Sequence, residues 1–211
     1  NMGIPVLILG PSGSGKSASL RNFEPEEVGI FNVVNKPLPF RKKLPTANNA
    51  TYEMIAGSLK KKSKKTYVID DSQYLMANEF FDRAKEVGYQ KFTDIGLHFR
   101  NLLQTVIQQT PEDVIVYFLH HTEEDMSGRL KAKTIGKMLD EKLTVEGLFS
   151  IVLLTVAEGT EHYFLTNSDG SSTAKSPMEM FDPKIDNDLR MVDQIIREYY
   201  DLTGGENEQT E

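Results

Sequence analysis

The segment Gly10-Pro11-Ser12-Gly13-Ser14-Gly15-Lys16-Ser17 directly follows an apolar run at residues 4–9, and Ala18 is the next residue after the segment. It matches the pattern G-x-x-x-x-G-K-[ST] at every fixed position. Such a loop needs glycine because backbone N–H groups have to turn inward around phosphates without side-chain clashes. A buried strand before the loop and a helix at residues 16–23 are the flanks that distinguish a phosphate-binding loop from a chance glycine-rich turn.

The loop predicts a site for ATP and Mg²⁺. Lys16 is expected to place its charge on the β- and γ-phosphates, and the Ser17 hydroxyl to reach the metal ion. The backbone from Gly10 to Ala18 is expected to bind the phosphate chain, aided by the positive end of the helix dipole.

Two adjacent acids end the next candidate strand, Tyr67-Val68-Ile69-Asp70-Asp71. We expect Asp70 at the carboxyl-terminal edge of the strand neighbouring the loop strand, in the water shell of Mg²⁺. Two interpretations of Asp71 stay open. It polarises the attacking water, or it caps the helix that follows.

His120 closes another apolar strand, at residues 114–119. We expect it to face the γ-phosphate and to relay the presence of that phosphate to the next loop. A strand-end histidine without a special role is the alternative, and His121 lies on the opposite pleat. With four histidines and no cysteine in the chain, a separate metal site is disfavoured.

Apolar strands alternate with amphipathic segments, which predicts an α/β fold with a mostly parallel sheet flanked by helices. A C-terminal antiparallel hairpin is expected from residues 148–156 and 162–166, and Asp188 is expected to cap a last helix. Residues 123–137 are polar and contain glycine, which is typical of a mobile loop. We expect one domain over residues 2–202 and a disordered tail at 203–211. Other expected elements are strands 28–34 and 66–69, helix 49–59, and a long helix ended by Pro111.

The formal net charge of −7 disfavours binding of a polyanion by the chain as a whole. Any contact with nucleic acid therefore needs a local basic surface, or it needs an oligomer. No run of ~18 apolar residues is present, so no membrane span is expected. The lack of cysteine and of a secretion signal favours the cytoplasm.

With these motifs placed, the chain resembles the phage-encoded P-loop ATPases with a RecA-like core that accompany single-strand annealing in recombination. The resemblance spans most of the chain. Beyond the loop and the acidic pair, it includes Asn35-Lys36-Pro37-Leu38-Pro39, Lys133-Thr134-Ile135-Gly136-Lys137, Glu146-Gly147-Leu148-Phe149, Thr173-Ala174-Lys175-Ser176-Pro177 and Asn187-Asp188-Leu189.

The resemblance implies ATP-dependent binding of single-stranded DNA by a homo-oligomer with ATP between protomers. Lys175 is then the candidate for a cation supplied to the γ-phosphate of the next protomer, although an ordinary exposed lysine fits equally. The DNA-contacting residues would be Arg129, Lys131, Lys133 and Lys137, and a single-strand-binding or annealing protein is a possible partner. One departure is the absence of an acid in Val33-Val34-Asn35-Lys36, where RecA carries its water-activating glutamate.

Two other functions stay open. A P-loop small-molecule kinase suits the length of the chain. Such kinases usually close an arginine-rich lid over the phosphates, and residues 123–142 contain the single arginine Arg129. In a protein-interaction module timed by ATP, the acidic net charge and the tail would serve a protein partner.

Overall fold

The computed structural model describes residues 2–136 and 144–203, and every structural statement below concerns those residues. They form a nine-stranded, mostly parallel sheet with helices on both faces. No helix within these two ranges is long and apolar enough to cross a membrane. The expected tail, apart from Thr203, and Lys137 lie outside the described residues.

The strands are β1 (Ile4–Gly10), β2 (Val28–Asn32), β3 (Thr46–Asn48), β4 (Thr66–Asp70), β5 (Ile115–Glu124), β6 (Leu130–Ala132), β7 (Ile151–Glu158), β8 (Glu161–Leu165) and β9 (Lys184–Asp186). The helices are α1 (Tyr52–Lys61), α2 (Gln73–Asp82), α3 (Gln90–Gln109) and α4 (Leu189–Tyr199). The strand order is β3-β2-β4-β5-β1-β7-β8-β9, parallel from β3 to β7 and antiparallel beyond, while β6 pairs antiparallel with β5.

Successive side chains of β1 point to opposite faces of the sheet, and both faces are buried. Leu7 and Leu9 pack into the apolar core beneath α1, α2 and α3, whereas Val6 and Ile8 pack into the core beneath α4. Because neither face meets water, the strand is apolar throughout instead of alternating. The expected α/β fold and the C-terminal hairpin, formed by β7 and β8, are confirmed.

The last helix begins where the sequence predicts. The Asp188 carboxylate accepts a hydrogen bond from the Met191 backbone N–H at 3.2 Å. Leu189, Val192 and Ile196 of α4 are fully buried at helical spacing. α4 therefore closes the second face of the sheet, and its capped end lies beside the glycine-rich loop, where the Asn187 amide donates to the Gly15 carbonyl at 3.1 Å.

Parallel pairing brings the carboxyl ends of the central strands to one edge. Gly10 lies opposite His121, and Asn32 lies opposite Asp70. The expectation that β4 neighbours β1 is wrong, because β5 lies between them. Buried parallel strands have similar apolar sequences, so the residues of a strand do not reveal its neighbours. The place of β5 depends on how the segment that contains α2 and α3 crosses from β4 to β5.

The helix expected at residues 16–23 is wrong in type and length. A short 3₁₀ helix forms at Ser17–Leu20 instead. The Ser19 hydroxyl donates to the Lys16 carbonyl at 2.5 Å and so competes with regular helical bonding. Pro25 follows within a few residues and favours an early end.

Residues 123–137 do not form the expected loop throughout. β5 continues to Glu124, and the chain returns as β6. The Asp125 carboxylate closes the turn between them by accepting from the backbone N–H groups of Ser127 and Arg129, each at 2.9 Å. β2 ends at Asn32 and not at residue 34, and the three-residue strand β3 was not predicted.

Candidate functional site

A cleft of about 310 Å³ opens at the carboxyl-terminal edge of the sheet. The glycine-rich loop, the segment after β2 and single residues of β4, β5 and β8 form it, together with Asp71 after β4. Its lining residues are Ser12, Gly13, Gly15, Lys16, Ser17, Ala18, Lys36, Pro37, Pro39, Asp70, Asp71, His121 and His162. The structure therefore brings the predicted loop and the predicted acids into one cavity.

The loop has a backbone that only glycine adopts easily. Gly13 has φ +77° and Gly15 has φ +103°. A Cβ at Gly15 would stand 3.0 Å from the His162 ring and 3.1 Å from the Asn187 amide. Among the described residues, the backbone N–H groups of Gly13, Gly15 and Lys16 make no hydrogen bond within the chain. Clustered donors of this kind form an anion-binding concavity.

Lys16 is buried under the loop with only 6% of its surface exposed. Its Nζ donates to the carbonyl oxygens of Gly10 and Pro11, both at 2.8 Å. Burial lowers the pKa of Lys16 to about 8, although Asp71 and Asp70 act in the opposite direction. At neutral pH this ammonium is therefore charged and incompletely compensated, which favours an incoming anion.

Ser17 and Asp70 meet on the other wall of the cleft. The Ser17 hydroxyl lies 3.0 and 3.1 Å from the two carboxylate oxygens of Asp70. Burial raises the pKa of Asp70 to about 6, and the neighbouring charge of Asp71 adds to the shift. A metal cation beside this carboxylate, in addition to the Lys16 ammonium, would lower the pKa of Asp70 again.

This oxygen pair fits Mg²⁺. Magnesium is usually bound by one or two carboxylates together with water and substrate phosphates, not by an all-protein cage. Within residues 2–136 and 144–203, no group of three or more histidine, cysteine, aspartate or glutamate side chains forms a metal site. The pair therefore suits a cation that is held largely by a bound phosphate.

Asp71 adopts a left-handed backbone with φ +58°, which is rare for a residue other than glycine. Its carboxylate lies 3.2 Å from His121 Nε2 and 3.6 Å from Lys36 Nζ. Burial acts to raise the pKa of Asp71, but the contacts with His121 and Lys36 outweigh it, so the pKa is lowered. The capping alternative is wrong, because Ser72 is the N-cap of α2.

The two adjacent histidines have different surroundings. His120 is fully buried and does not line the cleft, so its predicted orientation is wrong; the side chain on the opposite pleat, His121, lines it instead. Burial lowers the pKa of His120 to about 4, so its ring is neutral. Its Nε2 lies 2.7 Å from the Lys133 carbonyl and therefore carries the proton, while Nδ1 accepts from the Ser72 hydroxyl at 2.8 Å.

Lys175 lies beside β7, outside the cleft of its own chain. Its backbone N–H and carbonyl pair with Val152, at 2.9 and 2.8 Å. Val152 is in register with Leu7, three residues before Gly10, and the Lys175 side chain is exposed. A contact between Lys175 and a nucleotide in this cleft would therefore need a second chain, and the role in trans stays a prediction.

The basic residues after β5 lie on one side of the β5–β6 hairpin. Strand alternation places Arg129, Lys131 and Lys133 on the face opposite Leu130 and Ala132, which pack toward the core. Arg129 Nε donates to the Ser172 carbonyl at 3.0 Å. Lys131 Nζ lies 3.6 Å from the carboxylate of Glu123 on β5. Glu123 of the same hairpin thus offsets part of its positive charge.

Five lining residues were not predicted as site residues: Lys36, Pro37, Pro39, His121 and His162. Lys36 follows the end of β2, and ends of parallel strands share an edge, so this position carried a usable signal. His121 required knowledge of which pleat faces the cleft. His162 is the second residue of β8, and its Nδ1 reaches the Ser14 carbonyl at 3.3 Å only because the hairpin folds over the loop.

Comparison with models of known protein families gives no match for this chain, and no curated protein matches it with statistical significance. Neither comparison adds a family or a relative to the cleft geometry described above.

Proposed function

We propose that the chain binds ATP with Mg²⁺ in this cleft and hydrolyses it, on a RecA-like P-loop core. One observation carries the proposal. A G-x-x-x-x-G-K-S loop with open backbone N–H groups, a buried ammonium from Lys16 and the Ser17–Asp70 oxygen pair converge at one edge of a parallel sheet. Polyphosphate with a divalent cation is the ligand whose charges and oxygens match this set.

Each group has a role in binding. The N–H groups of Gly13, Gly15 and Lys16 donate to phosphate oxygens, and Lys16 exchanges its two carbonyl partners for the β- and γ-phosphates. Ser17 and Asp70 hold Mg²⁺, which when bound neutralises charge on the β- and γ-phosphate oxygens.

Asp71 is the side chain for the attacking water, since the segment after β2 contains no acid before Lys36. Its position in the cleft lets it accept a hydrogen bond from that water. The contacts with His121 and Lys36 lower its pKa, and a carboxylate with a low pKa is a weak general base. Asp71 therefore orients the water more than it deprotonates it, and we expect turnover to be slow.

The test is release of inorganic phosphate from ATP with Mg²⁺, for the wild-type chain and for Lys16→Ala and Asp70→Ala. Both variants should lose turnover, Lys16→Ala through phosphate binding and Asp70→Ala through the metal ion. Unchanged phosphate release in either variant would contradict the site. A phosphorylated small molecule in place of free phosphate would identify a kinase instead.

We further propose that the ATP-bound protein binds single-stranded DNA as a homo-oligomer, through Arg129, Lys131 and Lys133. Two features support it: these side chains share the outer face of the β5–β6 hairpin, and the neutral ring of His120 links the Lys133 carbonyl to Ser72, next to Asp71. Because Glu123 offsets part of the charge, binding should be modest. With three phosphate contacts, the logarithm of affinity should fall with the logarithm of salt at a slope of about −2.

Fluorescence anisotropy with a labelled oligo(dT) tests this, with ATP, with ADP and without nucleotide. The double variant Lys131→Glu/Lys133→Glu should weaken DNA binding and keep ATP binding. The matched control is Lys60→Glu/Lys61→Glu, which makes the same charge change at exposed positions at the end of α1. No DNA binding under any nucleotide condition would defeat the proposal.

A further inference from the structure

We propose that Lys36 is a second phosphate-binding cation, which contacts the terminal phosphate of a nucleotide bound in the cleft of its own chain and rests on Asp71 when the phosphate is absent. The inference builds on the nucleotide site proposed above. It assigns a residue outside the glycine-rich loop that tells a triphosphate from a diphosphate.

The backbone around Lys36 is held in place. The buried amide of Asn32 donates to the Lys36 carbonyl at 2.7 Å. The side chain of Asn35, whose φ is +59°, accepts from the Asn49 backbone N–H at 2.6 Å. Pro37 comes next and restricts the conformation further. The base of the Lys36 side chain is therefore presented to the cleft from an ordered segment.

The ammonium group of Lys36 is held more loosely than its backbone. Nζ lies 3.6 Å from Asp71 Oδ2, longer than a hydrogen bond, and 5.8 Å from the centre of the Tyr74 ring. The side chain is 58% exposed. Such a half-exposed ion pair is weak, so a doubly charged phosphate group readily replaces the single carboxylate as its partner.

The place of Lys36 in the cleft selects the terminal phosphate. It lies in the part of the cleft where Asp71 contacts both Lys36 and His121, whereas His162 contacts the glycine-rich loop at Ser14. Lys16, Ser17 and Asp70 fix the β- and γ-phosphates beside Asp70, the chain neighbour of Asp71. A phosphate that takes Lys36 leaves Asp71 in contact with His121 but without its lysine partner, which ties the surroundings of Asp71 to the presence of the γ-phosphate.

This arrangement also supplies a cation without a neighbouring chain. Lys175 of the same chain does not line the cleft, while Lys36 does. Lys16 and Lys36 then flank the phosphates from the glycine-rich loop and from the segment after β2. The contact between Lys36 and a terminal phosphate therefore needs only one chain. The proposed contact with DNA, in contrast, involves an oligomer.

Calorimetric titration with ATP and with ADP, each with Mg²⁺, tests the inference on wild type, Lys36→Met and Lys36→Arg. Loss of a charge-assisted phosphate contact should lower the affinity of Lys36→Met for ATP by about tenfold or more. Its affinity for ADP should stay within about twofold of wild type. Lys36→Arg keeps the charge and should retain most of the ATP affinity.

Two controls separate the possible failures. Lys43→Met removes an exposed lysine of the same segment that does not line the cleft, and it should bind both nucleotides like wild type. Lys16→Ala should lose ATP and ADP together. If wild type binds ATP but Lys36→Met shows no loss, or an equal loss of ATP and ADP, Lys36 does not contact the terminal phosphate. If wild type binds neither nucleotide, the proposed function itself fails.

Discussion

Two clefts at opposite edges of the sheet each hold a buried carboxylate beside basic side chains. The cleft at the carboxyl-terminal edge, about 310 Å³, contains Asp70 and Lys16. The cleft at the amino-terminal edge, about 420 Å³, contains Asp193 and Arg197 and is the larger of the two. Size and charge alone would therefore select the second cleft as the site.

The buried carboxylate of the second cleft and its arginine, Asp193 and Arg197, already have partners within the chain. One oxygen of Asp193 accepts from the Tyr117 hydroxyl at 2.8 Å, and the other accepts from Arg197 Nε at 2.7 Å. The Thr66 hydroxyl lies 3.2 Å from the first oxygen. Arg197 also donates to the carbonyls of Asp113 and Lys65, at 2.7 and 2.9 Å. This network joins α4 to the start of β4 and leaves little for a ligand to complete.

The first cleft has the opposite character. Open backbone N–H groups in the glycine-rich loop and a buried Lys16 that bonds only backbone carbonyls lack full compensation, and Asp71 is held in a left-handed backbone. Polar groups buried without full partners are costly, and they persist where a ligand supplies the partner. Incomplete pairing, and not volume or charge count, therefore distinguishes the proposed ligand site from the structural network.

The largest expected effect is on the structural network. Asp193→Ala removes the acceptor of Arg197 Nε and of the Tyr117 hydroxyl, and breaking a buried pair in this way costs about 3 to 5 kcal/mol of unfolding free energy. Urea unfolding followed by circular dichroism measures it. Glu198→Ala, on the exposed side of α4, is the control and should change stability by less than about 0.5 kcal/mol. ATP affinity of folded Asp193→Ala should equal wild type, and a specific loss would show that the second cleft takes part in binding.

Lys16→Met should have the reverse pattern. ATP affinity should fall by about 3 kcal/mol, roughly a hundredfold, because a buried charge contact is lost. Stability without nucleotide should rise by about 1 kcal/mol, since burial of the ammonium, which lowers its pKa from 10.5 to about 8, opposes folding.

The pH dependence of Lys16→Met has a definite sign. Between pH 8 and 10.5 the unfolded wild type binds more protons at this lysine than the folded chain, so wild-type stability rises with pH. The advantage of Lys16→Met should shrink over the same range in urea unfolding. A destabilisation as large as that of Asp193→Ala would remove the distinction between the two clefts.

The smallest effect concerns His120, which lies beneath the first cleft but is fully paired like Asp193. Burial lowers the pKa of His120 from 6.5 to about 4, so the unfolded chain binds more protons in that range. This contribution to stability is complete above pH 6.5 and is lost as pH falls toward 4, by about 2 kcal/mol at pH 4.5. The raised pKa of Asp70 opposes it, so the difference between wild type and His120→Gln is the quantity to measure.

Unfolding of wild type and of His120→Gln at pH 7.5 and pH 4.5 gives that difference. The stability advantage of wild type should be smaller at the lower pH. An advantage independent of pH would show that His120 is not buried in its neutral form. An ATP affinity that changes in His120→Gln at pH 7.5 would indicate direct contact between this ring and the nucleotide.

Local patterns predicted much of the site. The loop from Gly10 to Ser17 and the acids Asp70 and Asp71 were found because their chemistry is carried by contiguous residues next to apolar strands. His120 and His121 could not be separated in this way, since alternation along a strand says that two neighbours face apart but not which one faces the cleft. The residues next to His162 in the sequence form no motif that would mark it as a site residue.

The sequence alone was sufficient to predict the strands buried on both faces, the glycine-rich loop and the capped final helix. Each of these depends on neighbours within a few residues. Long-range packing was needed for the placement of β5 between β1 and β4, for the meeting of Lys36 with Asp71, and for the full pairing of Asp193. These features join segments far apart in sequence, and their free energies depend on burial and distance, which exist only once the sheet has formed.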